Sequence, residues 1–180
     1  MSFFWSTQEL ASETPLPAST DRKSAIALLH EHATVQNLQP LVTDSKPIPV
    51  PSPNEPVVTE ATSACPEGST VDYRAVTIAV PFGPFGSTSI TSKSAYMDAD
   101  DGVIATFQAP MGVSGRLRYR VVATDDGKGL ILREEAKITG VSVMMPFILG
   151  TEKENHAKHR MSIAKELERR AGVGGKVSGT

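Results

Sequence analysis

The segment Pro146–Ala171, PFILGTEKENHAKHRMSIAKELERRA, limits the possible folds more than any other part of the chain. Pro146 suits a first helical turn, where its missing N–H costs nothing. Thr151, Glu152 and Glu154 favour a nearby helix start, and the glycines from Gly172 onward end the pattern. At about 100° per residue, Leu149, Ile163, Ala164, Leu167 and Ala171 share one arc. His156 and Arg160 fall inside that arc. The segment therefore reads as one amphipathic helix whose buried face carries two polar side chains, and the rest of the chain has to cover that face.

Upstream, the first helical pattern runs from Asp21 to about Thr34. Thr20 or Asp21 caps it, and His32 lies on its apolar side. A short turn over Val35–Gln39 follows. The stretch Lys46–Pro56 (KPIPVPSPNEP) is too proline-dense for a helix or a central strand and reads as an extended loop. From Val57 the texture is β. Expected strands are Val57–Cys65, Val71–Val80, Ser87–Asp98, Val103–Ala109, Val113–Thr124 and Gly129–Val143, with a less regular one at Phe3–Ser12. The segment Pro81–Gly86 reads as a turn, and Asp100-Asp101-Gly102 is a hairpin signal. Strands at hairpin spacing with no helices between them form an antiparallel meander. Strand, helix, meander and long final helix is the element order of the α+β START-like helix-grip fold: a curved antiparallel sheet wrapped around a C-terminal helix. One domain over residues 1–171 with a loose tail at 172–180 is the expected organisation.

Composition narrows the function classes. A net charge of −2 with 39% hydrophobic residues fits a soluble protein and argues against nucleic-acid binding. No run approaches the ~20 apolar residues of a membrane span. The opening MSFFWSTQEL lacks a basic start and a long apolar stretch. A lone cysteine, Cys65, suits a reducing compartment. A cytoplasmic protein is the expectation. The oligomeric state is open, a homodimer included. No P-loop, G-x-S-x-G, G-x-G-x-x-G after a strand or H-E-x-x-H occurs. No cofactor is implied, and no cysteine or carboxylate completes a metal site with His156 and His159.

Strand alternation selects the inward residues. On the last strand Leu130, Leu132, Glu134, Ala136 and Ile138 share the apolar face. A buried Glu134 is either a general acid or base with a shifted pKa or the partner of an inward cation. Tyr119 alternates with Arg116, Arg118 and Arg120, so it faces inward while the arginines form a solvated face or a groove for an anion. Tyr96 shares a face with Ile90, Ser92 and Ser94. A tyrosine hydroxyl in an apolar cavity can bind a ligand carbonyl or protonate it; it can also find a structural partner. His156 and Arg160, one turn apart, join Glu134, Tyr96 and Tyr119 as the candidate catalytic set.

The opening MSFF, then TPLPAS, ALLHEHATVQNLQPLV, GLILREEAKITG and ENHAKHR resemble the small fungal proteins of unknown function that carry a START-like, polyketide-cyclase-like (SRPBCC) domain. The resemblance covers nearly the whole chain. It implies the helix-grip fold, a cytosolic fungal protein and a role in secondary metabolism, where such domains bind or cyclise hydrophobic intermediates. The leading expectation is a cofactor-free cyclase or isomerase holding a polyketide- or terpenoid-like molecule. The alternatives are a non-catalytic lipid or metabolite carrier and an interaction protein that uses its proline-rich loop.

Overall fold

The computed structural model describes residues 4–81, 86–143 and 145–174, with the side chains of 81, 147–149, 151–153 and 173–174 left aside. Strand β1 (Trp5–Pro15) is followed by α1 (Arg22–His30), α2 (His32–Asn37), β2 (Val42–Pro47) and α3 (Pro56–Ala64). Then come β3 (Val71–Pro81), β4 (Ser87–Ala99), β5 (Gly102–Gln108), a 3₁₀ turn at Pro110–Gly112, β6 (Ser114–Ala123), β7 (Leu130–Val141) and α4 (Met145–Gly174). The turn expected over Pro81–Gly86 falls mostly outside the described residues, as do the final residues, 175–180, of the expected tail. The helix itself continues through Gly172 to Gly174.

The sheet order is β1-β7-β6-β5-β4-β3-β2, and each neighbouring pair is antiparallel. Consecutive strands from β3 to β7 are neighbours, so the meander read from hairpin spacing is present there; β2, not among the expected strands, joins its edge and is separated from β3 in sequence by α3. β1 closes the far edge by pairing Trp5–Pro15 with Val141–Ile131. The sheet curves around α4, which is 30 residues long and so spans about 45 Å.

Three local features differ from the sequence expectation. The first helical pattern is broken at Glu31, whose φ of −82° and ψ of 70° separate α1 from α2. Asp21 caps α1, accepting from the Ser24 amide at 2.9 Å. Val57–Cys65 is not a strand; Pro56 sits at the first position of α3, where its fixed φ starts a helix. The β-branched pair Val57-Val58 suggests a strand, but burial of Val57 and Ala61 four residues apart follows helical spacing. The proline-rich loop shortens to residues 48–55, because β2 takes in Lys46 and Pro47.

Both faces of the sheet are covered. On the concave face Leu28 and Leu29 of α1 pack with Val103, Val121, Leu132 and, from α4, Ile163 and Leu167. On the convex face α3 lays Val57 and Ala61 over Tyr73, Ala95, Met97 and Ile104. The three alternating arginines also face outward. Arg118 and Arg120 both reach Asp101, at 3.3 and 2.8 Å, and Arg116 reaches Glu60 of α3 at 3.1 Å. Arg118 and Arg120 share one carboxylate and Arg116 has its own, which fits an ion-paired, solvated face.

Candidate functional site

Apolar packing fills only part of the concave face. The C-terminal half of α4 presents Ile163 and Leu167 to α1 and the sheet, and this region is solid core. The preceding turns present His156, His159 and Arg160 instead, and all three are buried. Polar heads held there cannot interdigitate with the sheet as leucines do. Between this part of α4, α2 and strands β3 to β6 lies a cavity of about 420 Å³, within the usual size range of small-molecule sites. Its walls are largely aliphatic, among them Leu29, Val76, Ile78, Val103, Ala105 and Leu117. Tyr96, Tyr119, His156, His159, His32 and Gln36 contribute to its polar lining, with Ser and Thr side chains of β4 and β5.

Behind the wall formed by His156 and Tyr119 sits Glu134, 3% exposed. One of its oxygens, Oε1, accepts from His156 Nδ1 and from the Tyr119 hydroxyl, the latter at 3.1 Å. The other, Oε2, accepts from Arg160 Nη1. Arg160 also donates through Nε to Thr14 Oγ1 on β1 at 3.0 Å. Burial pushes the Glu134 carboxyl up, but the hydrogen bonds and charges of His156 and Arg160 outweigh it and hold the group below the usual carboxylate range. Glu134 is therefore an anion in a paired site, and neither it nor Arg160 lines the cavity. Of the two sequence readings of Glu134, the geometry supports the ion-pair partner. Its bond to Nδ1–H fixes the His156 ring so that Nε2 is the basic nitrogen of the neutral form.

His159 completes the cluster. Its Nε2–H donates to the Val35 carbonyl of α2 at 2.8 Å, and Nδ1 lies 3.2 Å from the Tyr119 hydroxyl oxygen. Burial, aided by the positive charges at His156 and Arg160, depresses its pKa from 6.5 to about 4. At neutral pH the ring is uncharged, and because the carbonyl can only accept, Nδ1 carries the lone pair. The single hydroxyl proton of Tyr119 thus has Glu134 Oε1 and His159 Nδ1 among its acceptors and can serve one at a time. A ligand oxygen in the cavity is a further claimant for the same proton.

Tyr96 stands apart from this cluster. Burial raises its hydroxyl pKa well above the ordinary tyrosine value, which makes it a neutral hydrogen-bonding group and a poor proton donor. Its ring stacks on His32 with centroids 5.2 Å apart. Both His32 nitrogens meet carboxylates: Nδ1 is 3.1 Å from Asp72 and Nε2 3.0 Å from Asp98. Those contacts pin the start of α2 to β3 and β4. The structure therefore brings Glu134, His156, Arg160 and Tyr119 together and leaves Tyr96 on another wall of the cavity. His159 and Gln36 were missed as site residues. His159 lies one position before Arg160, at the edge of the arc that carries His156, so helical spacing could have found it. Gln36 follows from His32 by four positions on the same helical face.

Among the described residues no group of three His, Cys, Asp or Glu side chains is placed to hold a metal ion, and no helix is long and apolar enough to cross a membrane.

Comparison with known proteins bears first on the fold. The chain superposes on the Zhui aromatase/cyclase from Streptomyces sp. R1128 with a TM-score of 0.57 and 12% identity, over 92% of this chain and 95% of that one. For TTHA0849 from Thermus thermophilus the TM-score is 0.55 with 9% identity, over 92% and 99%. For Ara h 8.0201 it is 0.53 with 12% identity, also over 92% and 99%. At these identities the likeness establishes architecture, and the helix-grip fold expected from element order is present. No curated protein matches the sequence. The family model described as "Domain of unknown function (DUF7053)" matches residues 5–169, and the chain belongs to that family.

Proposed function

We propose that this member of the DUF7053 family binds one apolar, carbonyl-bearing molecule in its cavity and acts on it as a cofactor-free cyclase or isomerase. The observation that carries the reading is the convergence of Tyr119, His156 and His159 on one part of a largely aliphatic cavity wall. The aromatase/cyclase named among the structural neighbours is consistent with it. In this scheme the aliphatic walls fold a flexible polyketide- or terpenoid-like substrate into a reactive conformer. Tyr119 donates its proton to a carbonyl oxygen as an enol forms. The neutral form of His156, oriented by Glu134 through Nδ1, takes the α-proton at Nε2. Arg160 keeps Glu134 anionic, so the imidazolium that forms is stabilised by a neighbouring negative charge. When His156 returns its proton to another carbon and the enol O–H gives its proton back to Tyr119, the product is an isomer. When the enol carbon instead attacks a second carbonyl, a C–C bond forms as that C=O π bond breaks, the new alkoxide takes the proton from His156, and the enol O–H proton goes back to Tyr119. No redox partner is needed for either outcome. The source and pathway expected from the sequence, fungal secondary metabolism in the cytoplasm, belong to this proposal.

A second reading, a carrier without chemistry, is favoured by one specific observation: Glu134 and Arg160 neutralise each other behind the wall and do not face the ligand space. One experiment separates the two. The bicyclic ketone 2-tetralone is small enough for the cavity and exchanges its α-protons through an enol. In D₂O the wild-type protein accelerates deuterium uptake, followed by mass spectrometry. Tyr119→Phe keeps the ring and the binding of the ketone but lowers the exchange rate by about 10²-fold or more. Saturable binding of the ketone by the wild type with no acceleration of exchange would contradict the enzyme reading and support the carrier.

A further inference from the structure

We propose that Gln36 is the group that reads a ligand hydroxyl, so that the apolar carbonyl compound this cavity takes also carries a hydroxyl, as an alcohol, enol or phenol. The inference deepens the cavity reading above and rests on it. Gln36 belongs to α2 and is more than nine-tenths buried, yet its Oε1 has no hydrogen-bond partner among the described residues. A buried amide oxygen left without a donor costs about as much as a lost hydrogen bond, so folding alone gives no reason for this side chain. Its location gives one. Gln36 lines the same cavity as Tyr119, His156 and His159. The peptide joining Val35 to Gln36 is the one whose carbonyl accepts from His159, so the Gln36 side chain leaves α2 beside the polar cluster. Two independent anchors hold α2 there: His32 on Asp72 and Asp98, and Val35 on His159. The amide is thus presented on a fixed element, next to the proton-handling groups.

The choice of hydroxyl follows from the amide's two edges. A primary amide offers an acceptor oxygen and donor N–H groups. A hydroxyl both donates and accepts, so it pairs with Gln36 in either orientation of the amide. A purely aliphatic ligand leaves the orphan oxygen as it is. In the proposed reaction an enol or phenol hydroxyl is also what Tyr119 and His156 generate, and Gln36 then holds the product-like form.

The test compares two probes of the same shape, 2-naphthol and 2-methylnaphthalene, by calorimetric titration of the wild type and of Gln36→Met. Wild type binds both and prefers the naphthol by about tenfold, the worth of one buried hydrogen bond. Gln36→Met removes the preference, weakening the naphthol by about tenfold while the hydrocarbon stays within about twofold. Because the variant deletes an unpaired buried polar group, its melting temperature without ligand equals or exceeds that of wild type. A lower melting temperature would mean that Gln36 is a structural residue and would overturn the proposal. So would an unchanged naphthol preference in Gln36→Met, or hydrocarbon and naphthol bound equally by wild type. If neither probe binds wild type, the cavity reading itself fails, and the Gln36 assignment with it.

Discussion

Glu134→Ala destabilises the protein by roughly 3–5 kcal/mol, the usual consequence of removing one partner from a buried ion pair. The carboxylate is the common acceptor for Tyr119, His156 and Arg160, which come from β6 and from two successive turns of α4. Its loss leaves the Arg160 guanidinium buried, with Thr14 Oγ1 on Nε as its remaining side-chain contact among the described residues. The His156 Nδ1–H loses its acceptor as well. Replacing both charges by apolar groups of similar size is a milder change, so Glu134→Leu combined with Arg160→Met recovers at least half of the loss. Denaturant unfolding of the three proteins checks this. Equal stability of Glu134→Ala and wild type would show that Glu134 is not the centre of a paired network.

The second large effect is on pH dependence. His159 is depressed from 6.5 to about 4 in the folded protein. The unfolded chain takes up a proton at this residue as pH falls through 6.5, and the folded chain refuses it until about pH 4. Stability is therefore complete above pH 6.5 and declines across that window, by roughly 3 kcal/mol in all. Glu134 acts in the same direction lower down. Its folded carboxyl is held below its ordinary 4.5, so its stabilisation is present above that value and lost as pH drops beneath it. His159→Gln keeps a donor for the Val35 carbonyl and cannot titrate. It flattens the decline between pH 6.5 and 4.5 and leaves the steeper acid loss in place. Unfolding free energies measured from pH 7 to 4 decide the matter; the same slope in wild type and variant would contradict the assignment.

These residues also show how far the sequence could be read. Tyr119 and Glu134 were legible because strands alternate: Leu132 and Ala136 flank Glu134 on the buried face, and Leu117 and Val121 flank Tyr119. His156 and Arg160 were legible because a helix places residues four apart on one face. Their pairing with Glu134 was foreseeable in kind, since a buried carboxylate needs cations. Which polar groups face the cavity was not, because that depends on the register of β6 against β7 and on the depth at which α4 docks. Tyr119 opposite Glu134 is a register fact, and no local pattern specifies it. Helix α3 was hidden for a different reason. Val57-Val58-Thr59 has strand-like propensity, and Pro56 at the helix start together with the tertiary demand to cover Tyr73, Met97 and Ile104 makes it helical. The break at Glu31, which lets α2 turn its His32, Val35 and Gln36 toward the cavity, has no glycine or proline to announce it.

The central claim is that one apolar small molecule occupies the cavity between α2, α4 and strands β3 to β6. Native mass spectrometry of the protein purified from its own source, before and after addition of saturating 2-methylnaphthalene, tests it directly. The account predicts a one-to-one adduct with an oxygen-bearing apolar compound from the source, displaced by the hydrocarbon. The bare chain mass in both spectra would contradict it.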